Sequence, residues 1–422
     1  MAKLHWFCAG LILAATTARA AEAPADAVER GAYLARAGDC IACHTAPGGA
    51  EFAGGLPLDT PVGRIYSTNI TPDRATGIGS YSLEDFTRAV RQGVAKDGHR
   101  LYPAMPFPSY TKVSDADIQA LYAYFQHGVT PVKQANRPSA IPAPLNLRFP
   151  LAIWDVMFLH EGAFRPDPAH DARWNRGAYL VEGLGHCGAC HTPRALSLQE
   201  KALSDGDGSI FLSGNKFDGW FAKSLRGGDQ DGLAGWSEGE LVTFLKTGTT
   251  DRTAAFANMA EVVQHSTQYL SDDDLGAIAH YLKSLPAHQG GSSAAAGTRQ
   301  AAATAEDHPG RGSANYNQFC VTCHRPDGGG APHIFPALAG NDVVETADPT
   351  SLIHIVLSGG RIAHTSAHPM PFAMPGFARM DNRDVAEVVT FIRTTWGNNA
   401  APVSADQVAK VRANLTQAEV KP

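Results

Sequence analysis

The chain has 422 residues, with 35 Lys and Arg against 41 Asp and Glu, a formal net charge of −6 and seven cysteines. No Lys/Arg-rich run is present, which argues against nucleic acid as a partner. The length exceeds one small domain and suits three of ~100 residues each.

Residues 1–20 read as an export leader. Lys3 supplies the basic start, Trp6 to Ala15 a short apolar core, and Ala18-Arg19-Ala20 a small-residue cleavage site. The apolar run is too short to span a bilayer. Cys8 lies too near the start to be an acylation site following an apolar core, and is expected to leave with the leader. Cleavage removes Lys3 and Arg19 and no acid, so the remaining chain holds 33 basic and 41 acidic side chains, formally −8.

Every other cysteine belongs to one of three copies of Cys-X-X-Cys-His: Cys40-Ile-Ala-Cys43-His44, Cys187-Gly-Ala-Cys190-His191 and Cys320-Val-Thr-Cys323-His324. They fall at similar places in three similar stretches, 22–137, 171–287 and 307–400, as an internal repeat requires. Each stretch opens with a helical run before the motif: Val28 to Ala37, Trp174 to Gly183, and Ser313 to Phe319. Two openings share Arg-Gly-Ala-Tyr-Leu, at Arg30 to Leu34 and Arg176 to Leu180, and the third keeps only Arg311-Gly312 and Tyr316. Middle helices are expected over Ser82 to Gln92, Ser237 to Lys246 and Thr350 to Leu357. Closing helices follow Ser114-Asp-Ala-Asp117 and Ser271-Asp-Asp-Asp274, where a capping residue precedes acids in the first turn, and the third runs from Asp381 to Trp396. Apolar spacing in the closing runs, as in Ile118, Leu121, Tyr122 and Phe125, is helical. The aromatic residues there read as helix-packing core.

Two connections and a tail lie between and after these stretches. Residues 138–170 are Pro-rich and include the apolar Phe149 to Leu159, which reads as a cover over the first two units, with a docking surface as the alternative. Residues 288–306, rich in Gly, Ser and Ala, read as flexible, making the third unit the one free to move. Residues 401–422 carry only a weak period (Val408, Val411, Leu415) and no interfacial anchor.

The motif has the chemistry of c-type haem attachment. Two thiols form thioethers to the haem vinyl groups and the adjacent imidazole ligates the iron. The expectation is therefore three covalent haem c groups, held by Cys40, Cys43, Cys187, Cys190, Cys320 and Cys323, with His44, His191 and His324 as proximal ligands. The fold class that follows is all-α: three tandem class I cytochrome c-like domains, each wrapped around one haem. Export agrees, because this attachment takes place outside the bacterial cytoplasm, in the periplasm.

A haem that shuttles electrons needs a sixth ligand, and a methionine thioether favours reduced iron. The first unit contains only Met105, and the second only Met259 because Met157 precedes it. In the third, Met370, Met374 and Met380 compete, with Met374 favoured. His364 and His368 read as exposed loop histidines, and His186 as structural. The proximal imidazoles need carbonyl acceptors for their other N–H, and Pro57 and Pro336 are the candidates.

These residues resemble the tri-haem cytochrome c subunits of bacterial membrane-bound dehydrogenases, the alcohol, gluconate, sorbitol and fructose types. The likeness runs over nearly the whole chain. It is carried by Gly63-Arg-Ile-Tyr-Ser-Thr-Asn-Ile-Thr-Pro-Asp73, His99-Arg-Leu-Tyr-Pro-Ala-Met-Pro-Phe107, His265-Ser-Thr-Gln-Tyr-Leu270, Met374-Pro-Gly-Phe377 and Phe391-Ile-Arg-Thr-Thr-Trp-Gly397. The resemblance implies Met105, Met259 and Met374 as axial ligands. It also implies electron transfer from a catalytic subunit with a flavin or quinone cofactor, acting on a sugar, sugar acid or alcohol, to ubiquinone or a terminal oxidase at the outer face of the cytoplasmic membrane. No catalytic residues of the chain's own are expected. The competing class is a periplasmic haem enzyme, a peroxidase or reductase with one open or bis-His iron. A methionine in every unit opposes it. A zinc protein is disfavoured because the half-sites are not paired.

Overall fold

A computed structural model describes residues 25–227, 232–288 and 310–416. The leader with Cys8, and the Gly/Ser/Ala-rich connection from residue 289 onward, lie outside the described residues.

The same helix crossing is built three times. Opening helices Ala25–Ala37, Ala172–Tyr179 and Arg311–Phe319 pack across closing helices Asp115–Ala123, Asp272–Ser284 and Asn382–Thr394. The crossing is close because a glycine lies at each contact. A Cβ on Gly31 would stand 2.0 Å from the Ala120 carbonyl oxygen, on Gly177 2.1 Å from that of Ala277, and on Gly312 2.4 Å from that of Glu387. The closing helices start where their caps direct. Ser114, Ser271 and Asp381 accept from the main-chain N–H of Asp117, Asp274 and Asp384. Middle helices Leu83–Gln92 and Glu238–Thr247 carry full capping boxes, Ser82 with Asp85 and Ser237 with Glu240.

Among the described residues the chain is mostly helical, with few strands. Three short antiparallel hairpins pair Pro57–Thr60 with Gly63–Tyr66, Asn215–Phe217 with Trp220–Ala222, and Gly360–Arg361 with Ala373–Met374. Such brief pairings carry no alternation long enough to show in a sequence.

The first two motif-bearing stretches share one continuous apolar core, from Leu34 through Val181 to Leu285. Their union is reciprocal. Asp117, 2 % exposed, accepts from Arg30 Nε at 2.8 Å within its own stretch and from the Tyr179 hydroxyl at 2.5 Å across the boundary. Asp274 accepts from Arg176 Nε at 2.7 Å and from the Tyr33 hydroxyl at 2.5 Å. The shared Arg-Gly-Ala-Tyr-Leu is thus an interface code: Arg holds its own closing helix, Gly admits that helix, Tyr reaches the sibling's carboxylate and Leu enters the core. The third stretch keeps Arg311 on Asp384 at 2.8 Å and Gly312 at the crossing, but Ala314 occupies the tyrosine's place.

A separate core forms around Tyr316, Leu357, Val385 and Val389. It takes in the segment read as a tail. Helix Ala405–Arg412 buries Val408 and Val411 there, and Arg393, 1 % exposed, donates to the carbonyls of Ala401, Val344 and Thr346. This part makes contacts with the second stretch. Asp342 accepts from Lys223 Nζ at 3.2 Å and from the Trp236 indole, Trp220 stacks on His354 at 3.8 Å, and Ser351 is hydrogen-bonded to the Phe221 main chain.

Residues 138–170 are laced down over both earlier stretches. Ala140 pairs with Arg64, and Phe164 N–H donates to the Lys112 carbonyl. Helix Phe149–Phe158 is held by its buried Asp155 on Arg100 at 2.8 Å and by Trp154 Nε1 on the Ser197 carbonyl at 2.9 Å. Among the described residues no helix is long and apolar enough to cross a membrane.

Candidate haem sites

Each Cys-X-X-Cys-His motif coils into a single short helix: Cys40–His44, Gly188–His191 after Cys187, and Val321–His324 after Cys320. One turn of helix places the two thiols and the imidazole together. Of the six motif cysteines, Cys43 is exposed and the others are half-buried. Burial pushes the thiols of Cys40 and Cys187 up to about 12, so in the chain alone they stay protonated.

The three imidazoles are set alike. Nδ1 of His44 meets the Thr68 carbonyl at 2.7 Å, that of His191 the Lys223 carbonyl at 2.7 Å, and that of His324 the Pro336 carbonyl at 3.0 Å. Donation from Nδ1 fixes the tautomer and turns the Nε2 lone pair outward. Burial lowers the pKa of all three, holding them neutral as a metal ligand must be. The donor set therefore fits a haem iron with covalent thioether attachment. Pro336 is the expected acceptor, whereas Pro57 is not: it sits in the first hairpin, and the carbonyl comes from Thr68 beyond it. Lys223 likewise follows the second hairpin. Main-chain acceptors have no side-chain signature, so no sequence signal pointed to Thr68 or Lys223.

The candidate sixth ligands lie on different supports. Met105 is in the loop before the short helix Phe107–Tyr110, half-buried against the first core. Met259 is in helix Ala257–His265, half-buried against a small cluster with Val263 and Ala363. Met374 is held in a hairpin strand opposite Gly360 and packs on the third core, while Met370 is 85 % exposed. His364 is exposed as expected. His368 differs: it is half-buried, with Nε2 2.8 Å from the Thr249 hydroxyl, so it belongs to the contact between second and third stretches.

The first and second motifs are neighbours. Tyr110 donates to the Gly38 carbonyl at 2.9 Å and meets the His186 ring edge-on at 5.5 Å, and helix Ala257–His265 packs on the Cys40–His44 turn. His186 donates to the Leu184 carbonyl at 2.8 Å, which agrees with a structural role. Two carboxyls that sequence reading passed over flank these motifs. Asp39, in left-handed conformation at φ 50°, has a buried Oδ1 without a hydrogen-bond partner, and burial raises it to about 8. Glu200 Oε2, beside Gly188, is also buried without a partner, and burial raises it to about 7 against the pull of Arg194 and Lys112.

Comparison with known proteins completes the picture. The cytochrome c family model matches residues 310–396, and that of cytochrome c oxidase, cbb3-type, subunit III matches residues 26–125. Over 92 % of this chain and 90 % of its own length, the gluconate 2-dehydrogenase cytochrome c subunit of Pantoea cypripedii is 53 % identical. The chain belongs to the family of dehydrogenase cytochrome c subunits. Other relatives include the cytochrome c subunit of alcohol dehydrogenase (quinone) from Gluconobacter oxydans, 48 % identical over 94 % of this chain and 84 % of its own, and the fructose dehydrogenase cytochrome subunit of Gluconobacter japonicus, 37 % identical over 96 % and 88 %. Cytochrome c domains carry covalent haem c, and the motif thiols and imidazoles have the donor chemistry to hold it. Its chemistry is electron transfer.

Proposed function

We propose that this subunit is a tri-haem electron carrier built of three tandem cytochrome c domains and serving a catalytic dehydrogenase. Cys40 and Cys43, Cys187 and Cys190, and Cys320 and Cys323 hold the three haems. His44, His191 and His324 are the proximal ligands, and Met105, Met259 and Met374 the distal ones. The half-buried position of Met374 in a hairpin strand, against the exposed position of Met370, supports that choice in the third domain. Bound haem iron supplies a one-electron couple. The chain's residues hold it: carbonyls of Thr68, Lys223 and Pro336 orient the imidazoles, and the shared core fixes the first two domains against each other.

The observation that carries this reading is the threefold recurrence of an imidazole held neutral on a main-chain carbonyl beside a thiol pair. Relatives matched over most of their length support a partner that oxidises a CH–OH donor (sugar, sugar acid or alcohol) through a flavin or quinone cofactor. The acceptor is ubiquinone or a terminal oxidase, at the outer face of the cytoplasmic membrane on the periplasmic side, which the chain reaches by its cleaved leader.

Purification from membranes in mild detergent tests this. The expected result is co-purification with a flavin or quinone dehydrogenase whose substrate reduces three haems, none of which binds carbon monoxide when ferrous. A solitary protein that turns over peroxide, with one haem binding carbon monoxide, would establish a haem enzyme instead.

A further inference from the structure

We infer that residues 360–365 of the third domain form a strap that positions the distal methionines of both the second and the third haem. Gly360 serves Met374, and Ala363 serves Met259. The inference rests on the reading above that these two methionines are the ligands, and it adds what holds them in place.

One end of the strap belongs to the third site. Strand Gly360–Arg361 pairs antiparallel with Ala373–Met374, and Gly360 stands directly opposite Met374. The approach there is close. At Gly359, φ 70°, a Cβ would lie 2.4 Å from the Met374 carbonyl oxygen and 2.6 Å from the Gly376 nitrogen, so only glycine fits. The other end belongs to the second site. Ala363, 1 % exposed, lies in a small cluster with Ala255, Ala260 and Val263, against which Met259 packs. Polar bonds tie the strap to the same helix, Ala257–His265, and to its surroundings. His364 N–H donates to Gln264 Oε1 at 3.1 Å, and Gln268 Nε2 donates to the His364 carbonyl at 3.1 Å. The Thr365 hydroxyl donates to the Thr247 carbonyl at 3.3 Å.

The methionine helix needs such support. It has nine residues, too few for a helix to hold itself in water, and Phe256 at its start offers no side-chain cap. Met259 is the third of those residues and so lies in the first turn, where the N–H groups have no partner within the helix. Its position is therefore fixed by what packs on the helix, and the strap supplies part of that packing from another domain. Gly360 and Ala363 are three residues apart, a span of about 10 Å at most. A displacement at either end reaches the other through the backbone alone, which links the two ligations across the domain boundary. Among the described residues the first domain adds nothing to the cluster or to the hairpin, and Met105 packs on a different core. The first haem is thus an internal reference.

Carbon monoxide binding and redox titration of the haem-loaded full chain test this. Met259→Leu and Met374→Leu come first, and each should open one haem to carbon monoxide and so assign it. Ala363→Leu overfills the cluster and forces the strap off the methionine helix. It should raise carbon monoxide affinity at both assigned haems by about tenfold or more, the size of a lost outer-shell support. Both potentials should fall, with the first haem unchanged. Ala363→Ser, close to the native volume, should behave as native. Gln264→Ala deletes only the acceptor for His364 and should shift the same two haems in the same direction. It decides the outcome if Ala363→Leu unsettles all three haems, and native behaviour of both assigned haems in it would then overturn the inference. So would an Ala363→Leu chain in which neither assigned haem responds, or only one does. If either methionine variant opens no haem, the ligand reading itself fails and the inference falls with it. A response to the methionine variants without one to the strap variants sinks the inference alone.

Discussion

Three histidines, three methionines and six thiols make up the proposed sites, and the supporting atoms around the histidines are main-chain carbonyls. The cysteines and histidines were legible at once, because their spacing is covalent chemistry written in sequence. Their carbonyl partners were half legible. Pro336 follows its motif directly, but in the first two repeats a hairpin intervenes and passes the acceptor role to Thr68 and Lys223. Replacing Met105 or Met259 by Leu should lower that haem's potential by on the order of 0.1 V or more, within the ~0.8 V that axial ligation spans, and open it to carbon monoxide. A redox titration with a carbon monoxide difference spectrum checks both. Glu200 makes a pH prediction. Its carboxyl is raised to about 7 by burial, so the folded chain binds more protons than the unfolded one between the ordinary carboxylate range and that value. Stability therefore falls as pH rises through this window. Glu200→Gln should flatten that slope in the melting temperature measured from pH 4 to pH 8, with the gain over native largest at the alkaline end.

Helices and their caps were the best-read part of the fold. Ser82, Ser114, Ser237 and Ser271 all cap as their first-turn acids suggest, and Asp381, read as the first residue of its helix, caps it instead. The meaning of Arg-Gly-Ala-Tyr-Leu was not legible, since each residue acts on a partner far along the chain, Tyr33 on Asp274 above all. Crossing glycines should tolerate no side chain. Gly31→Ala or Gly177→Ala drives a methyl into a carbonyl oxygen and should cost about 1–3 kcal/mol or more, read by denaturant unfolding of the haem-loaded chain. Tyr33→Phe and Tyr179→Phe each remove a hydroxyl donated to a buried carboxylate that keeps its arginine. Each should destabilise by roughly 1–3 kcal/mol. Their effects should be similar to one another, because the two contacts are copies of one arrangement.

The molecule as a whole is more tightly joined than its composition suggests. Gly, Ser and Ala between 288 and 306 describe a connection, and the contact that docks the third part is made elsewhere, by Asp342, Ser351, His354 and His368 meeting residues of the second. Isolated polar residues of this kind have no pattern to read. Asp342→Ala removes the acceptor for Lys223 and Trp236, and should speed hydrogen exchange across residues 341–346 several-fold while the visible spectrum stays unchanged. One feature bears on how such a carrier can be altered. The partners that steer the three proximal imidazoles are peptide oxygens, and every residue type at positions 68, 223 and 336 has one. No point substitution deletes them, so the proximal side is shielded from sequence drift. A mutant library screened for shifted potentials should return its hits from the methionine side and from the carboxyls at positions 39 and 200.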